Sequence, residues 1–169
     1  MNTSMNEIVI KQIEVRVIEC GIHRVLACID KLTNEQLQYR PNANLNSINN
    51  QILHLDGNVR QWLIASLSCE NDTRKRDDEF DPNNQISKEE LIEILTKLEK
   101  DVRALFPLIQ NMNLADMKHV QCYYESVLSI IVHVIEHFSY HLGQITYITK
   151  MLLDIDTGYY AGLDLNEMN

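Results

Sequence analysis

From about Glu125 to Asp154 the chain carries no proline and a single glycine, and it reads as one helix, the longest in the sequence. An amphipathic helix of that length must bury its apolar face against other elements. Three more segments show helical rather than strand periodicity. In the first, about Glu7 to Lys31, the apolar residues Ile10, Ile13, Val17, Val25 and Ile29 recur at steps of three, four and eight. Gly21 interrupts that run. A mid-helix glycine costs ~1 kcal/mol against alanine, so it predicts a kink or a close contact. The second helix starts at Ser47, a good N-cap, and runs to about Ser68. The third opens on a capping box, Ser87 with Glu90, and continues through Leu91, Leu95, Leu98 and Val102 until Pro107 disturbs it.

The connections are polar. Thr33 to Asn46 reads as a loop with one short turn at Asn34–Leu37. The most charged stretch, ENDTRKRDDEFDPNNQ from Glu70 to Gln85, is too polar for core and too long for a hairpin, and reads as a crossover. Asn111 to Gln121 reads as a linker, and the aromatic, acidic tail from Asp156 as a segment packed on the surface. The expected fold is all-α: one domain over residues 1–169, a four-helix bundle with a long crossover between the second and third helices.

Composition narrows the function classes. The net charge of −9 opposes nucleic-acid binding and docking on anionic lipid, both of which rest on clustered positive charge. No apolar run approaches the roughly 18–20 residues a membrane span needs. The cysteines, Cys20, Cys28, Cys69 and Cys122, form no C-x-x-C pair and read as reduced thiols and small apolar fillers. The expectation is a cytoplasmic protein with no nucleic-acid or membrane partner.

Histidine placement is the informative chemistry. Of six histidines, His133, His137 and His141 lie on the longest helix at successive i, i+4 spacing and share one face. They cannot all bind one ion, because the outer two sit about 12 Å apart along the axis, whereas an imidazole nitrogen meets zinc at about 2.0–2.1 Å. An i, i+4 pair makes a good chelate. A third ligand must come from another helix, where His54 is the natural donor. Histidines on a long amphipathic helix are equally well explained as half-buried packing residues or partners of a carboxylate. His23 lies near Gly21, and His119 sits in the polar linker, where a histidine is usually solvated. Other templates are missing from the sequence: H-E-x-x-H, a di-iron E-x-x-H pair, phosphate-binding glycine loops and the G-x-S-x-G elbow.

HFSYHLGQITYITK (137–150) and HLDGNVRQW (54–62) resemble the two signature stretches of the DinB-like, damage-inducible superfamily of metalloenzymes. DTRKRDDEF (72–80) is similar to a loop of one branch of that superfamily. The resemblance covers nearly the whole chain. It implies a four-helix bundle holding one divalent metal ion, zinc or nickel before others, on His54, His137 and His141. Relatives of this kind are thiol-dependent transferases and isomerases, so the resemblance also implies a low-molecular-weight thiol as co-substrate.

Three imidazoles leave a coordination position for water or substrate, as in catalytic zinc sites. Asn58, Gln61 and Gln144 share the ligand face and are expected to line the pocket or bond to the ligands, with His133 beside them. Helix packing explains each equally well. Gly143 is expected to allow close helix approach. Arg74 and Arg76 are candidates for gripping a substrate carboxylate, although a charged run more often forms a solvated loop. The expected function is thiol transfer to, or isomerisation of, a small electrophile by a homodimeric metal-dependent enzyme. The alternative is a metal-binding sensor or interaction module without turnover.

Overall fold

The structure, a computed structural model, describes residues 3–167. The first long helix, α1, is α-helical over Met5–Ile13, π-helical over Glu14–Ile22 and α-helical again over His23–Lys31. Ser4 and Glu7 close a capping box at its start. The short helix α2 (Asn34–Gln38) sits within the expected loop and is capped by Thr33 and Gln36. The second long helix, α3, begins after Ser47, whose hydroxyl accepts from the Asn50 amide. It runs as α-helix over Ile48–Val59, π-helix over Arg60–Ala65 and a last turn at Ser66–Ser68, and stops at Cys69 with φ 60°. The crossover follows, ordered by a 3-10 turn at Arg76–Phe80. Helix α4 (Lys88–Ala104) opens on the Ser87–Glu90 box, and α5 (Phe106–Gln110) carries Pro107 in its first turn.

The segment expected as a plain linker holds a strand instead. Strand β1 (Met117–Val120) pairs antiparallel with β2 (Tyr123–Ser126), with His119 opposite Tyr124. Gln121 turns the chain at φ 53°. Four-residue strands are too short to show an alternation in sequence, and β-prone Tyr123 and Tyr124 stood at the edge of a helical pattern. The last long helix, α6, therefore spans Val127–Leu153 rather than starting at Glu125, with Ser126 as its N-cap.

Helix α6 packs on α1 and α3, and α4 packs on the same two, so the four long helices close a ring in the order α1, α4, α3, α6. The core is made of their apolar stripes, among them Ile13, Ile22, Ile52, Leu63, Leu98, Val134 and Phe138. At Gly21 α1 comes close to α6: a Cβ there would lie 2.8 Å from Phe138 Cε1. Gly143 plays no such part. It is exposed and has no heavy atom of a neighbouring element within 4 Å of where its Cβ would be, which corrects the expectation of close helix approach. The tail returns to the bundle through Tyr159, whose hydroxyl lies 3.1 Å from Cys28 Sγ and 3.0 Å from Thr146 Oγ1. Among the described residues no helix is long and apolar enough to cross a membrane. The ring order sets α3 and α6, the two histidine-bearing helices of the expected site, side by side.

Candidate metal centre

His54 lies in the first half of α3 and is only 8% exposed. Its Nε2 stands 3.1 Å from Nε2 of His137 on α6. His141, one turn further along α6, completes a cluster in which one nitrogen from each ring lies within 4.8 Å of the others. Helical periodicity explains the α6 pair, since residues four apart share a face. The partner from α3 is a product of packing.

His137 is held down to about pKa 3, first by burial and then by the neighbouring His141, His54 and His133. His141 is held down to about 4, by burial and by His54. Both rings are therefore neutral at physiological pH, the form that binds metal. Among the described residues, Nδ1 of His137 and Nδ1 of His141 are buried without a hydrogen-bond partner. The donor set fits a borderline divalent ion. Two nitrogens bound about 2.0–2.1 Å from one ion stand roughly 2.8–3.4 Å apart at right-angled to tetrahedral geometry, and Nε2 of His54 and Nε2 of His137 are 3.1 Å apart.

The sequence reading did not single out Glu79. Its Oε2 accepts from His54 Nδ1 at 2.8 Å. Arg74 holds the same carboxylate with a fork, Nε to Oε1 at 2.6 Å and Nη2 to Oε2 at 2.8 Å. Burial alone would raise the Glu79 pKa, but the bonds and charges of Arg74 and His54 outweigh it and hold it below the usual range. The loop is fastened to α3 by Asn50, whose Nδ2 donates to the Glu79 carbonyl at 2.9 Å. The only hint in sequence was a run of three acids, Asp77-Asp78-Glu79, and nothing local says which one turns inward.

Residues 9–159 match the family described as "Protein of unknown function (DUF1572)". The chain belongs to that family. No curated protein matches it. The DUF1572 match spans the three histidines, Glu79 and the β-hairpin, so the whole site lies inside the family's extent.

Beside His54 and His137 the DUF1572 chain opens a cavity of about 430 Å³, lined also by Asn58, Trp62, Tyr123, Glu125, Ser129 and His133. Asn58 is buried, and among the described residues its Oδ1 has no partner. His133 lines the cavity and stacks on Trp62 at 3.8 Å between ring centroids. Gln61 instead serves the loop. Its Oε1 accepts from Arg74 Nη1 at 2.9 Å, and its amide donates to Asp72. Gln144 is half-buried and lies outside the cavity lining. Both arginines line the cavity, but the Arg74 side chain is 4% exposed and bonded to Glu79 and Gln61. Arg76 is exposed at the cavity, with its guanidinium 4.9 Å over the Phe80 ring. His23 and His119 stay away from the cluster, His23 bonded to Glu99 at 3.1 Å and His119 against Tyr124 on the hairpin. Trp62 and Tyr123 were missed. Trp62 is eight residues after His54, hence near its face of α3, while Tyr123 arrives only with the hairpin.

Proposed function

We propose that this chain is a DinB-like, divalent-metal-dependent enzyme that joins a low-molecular-weight thiol to a small electrophile or isomerises such an electrophile. The observation that carries the reading is the cluster of three ring nitrogens within 4.8 Å beside an open cavity of about 430 Å³. His54, His137 and His141 would hold the ion, zinc or nickel before others. When bound, such an ion lowers the pKa of a coordinated thiol or water and supplies a nucleophile near neutral pH.

The chain's own groups provide binding and orientation. Trp62, Tyr123 and His133 form an aromatic wall for the apolar part of a substrate. Arg76 offers a guanidinium to a carboxylate, and Glu125, bonded to Ser129 at 2.7 Å, offers an acceptor. In transfer, the thiol sulfur forms the bond to the electrophilic carbon. The leaving group departs with its electron pair, and the thiol proton passes to solvent. All four cysteines are free thiols, which supports a reducing, cytoplasmic setting.

The test is metal analysis of untreated protein, followed by a panel of thiols and model electrophiles with and without chelator. Chelator-sensitive consumption of both substrates is the expected result. Metal-loaded protein that admits no exogenous thiol and turns nothing over would point to a sensor or interaction module.

A further inference from the structure

Nδ1 of His54 has two neighbours that make opposite demands. Glu79 Oε2, at 2.8 Å, can only accept from it, whereas Arg74 Nη2, at 3.1 Å, can only donate to it. The shorter contact and the chemistry of the fork decide between them. A carboxylate gripped on both oxygens by a guanidinium is ionised. A lone pair on Nδ1 facing that carboxylate would be repelled, and Arg74 Nη2 already has an acceptor in Glu79 Oε2 at 2.8 Å. A proton therefore sits on Nδ1, and in the neutral ring this leaves the lone pair on Nε2, toward His137 3.1 Å away.

We infer that Glu79, locked by Arg74, is the positioning residue of the site: it fixes the His54 tautomer and ring orientation so that Nε2 is ready to bind metal before any ion arrives. The consequence for metal affinity rests on the proposed function, but the tautomer does not. A carboxylate behind a metal-binding imidazole raises its basicity, and losing such a partner typically costs about 10–100-fold in metal affinity. The fold makes room for this clamp with a glycine. A Cβ on Gly57, three residues after His54, would overlap Glu79 Oε1 and lie 2.9 Å from Arg74 Nε. On the other side of the Arg74–Glu79 pair a second cavity of about 410 Å³ opens, lined by Asp56, Arg60 and Asp72.

Long-range nitrogen–proton spectra of the metal-free protein at neutral pH test the inference directly, with His54 assigned from its missing signals in His54→Gln. The expected wild-type pattern is a protonated Nδ1 and an unprotonated Nε2. Glu79→Gln keeps the shape but puts an NH₂ where an oxygen stood, facing either Nδ1 or Arg74. It should destroy the single tautomer and weaken zinc binding, measured by chelator competition, by about 10–100-fold with the helical circular dichroism intact. Gly57→Ala should do the same without altering Glu79. A wild-type His54 protonated on Nε2, or a Glu79→Gln protein with unchanged tautomer and zinc affinity, would overturn the inference. If wild type takes up no zinc while the tautomer behaves as expected, the metal reading fails and the clamp stands.

Discussion

The indole of Trp62 and the imidazole of His133 lie face to face, 3.8 Å between centroids and 27° from parallel. This pair joins α3 to α6, with His133 one turn before His137, and lines the cavity. Trp62 is the single tryptophan of the chain, so its fluorescence reports on this wall alone. Burial is the main cause that holds the His133 pKa below the usual histidine range. Quenching of Trp62 by a protonated neighbour should therefore set in at a pH below the ordinary titration of histidine, and His133→Phe should abolish it. A quenching midpoint at or above about 6.5 would contradict the burial of this ring.

Replacing His54, His137 or His141 by Ala should each strip metal from the purified protein, while His23→Ala and His119→Ala leave the content unchanged. The three lie within 4.8 Å of one another, and the other two are occupied elsewhere with Glu99 and Tyr124. Metal analysis by mass spectrometry reads the result, and loss of metal in His119→Ala to the same degree as in His137→Ala would refute the assignment.

The metal-free protein should lose stability as pH falls. His137 and His141 titrate at about 3 and about 4 in the fold, against about 6.5 in the unfolded chain. Between those values the unfolded state binds more protons, so stability is full above about pH 6.5 and declines as the solution is acidified toward pH 3. Thermal melts at pH 7.5, 6, 5 and 4 should show the decline, and it should shrink when both histidines are replaced by Gln.

Chelation should leave the helical circular dichroism nearly unchanged, because the four helices bury a continuous core without the ion. The melting temperature should fall by what linkage allows, about 2.7 kcal/mol where free metal stood at 100 times its dissociation constant. A metal-free chain that unfolds at room temperature would mark the ion as structural.

Gly21 and Gly143, both within long helices, should answer oppositely to alanine. Gly143→Ala meets open space on an exposed helix and should raise stability by about 0.5–1 kcal/mol. Gly21→Ala drives a methyl to 2.8 Å from Phe138 and 2.9 Å from the Arg16 carbonyl, and should lower it by about 1–3 kcal/mol. Urea denaturation distinguishes the two directly.

What the sequence determined by itself is what lies within one or two helical turns. Caps at Ser47 and Ser87 were readable because a capping side chain bonds a backbone amide three residues away. The shared face of His133, His137 and His141 follows from helical pitch, and the inability of the outer two to share an ion follows from its rise, while the choice of His137 with His141 came from the resemblance. His54 was legible as the third member because another helix had to supply it and because of the resemblance around residues 54–62. Tertiary structure alone decided the rest. Which acid of Asp77-Asp78-Glu79 turns inward depends on Asn50 pinning the loop and on Gly57 leaving space for a carboxylate. Arg74 and Arg76, two residues apart, were indistinguishable in sequence. They differ because one finds Glu79 and Gln61 in the interior and the other stays exposed on Phe80. The hairpin that brings Tyr123 to Trp62 left no periodic signal, since each strand is four residues long. Contacts between groups twenty or more residues apart, such as His54 with Glu79, are set by how helices and loops pack, which no local pattern encodes.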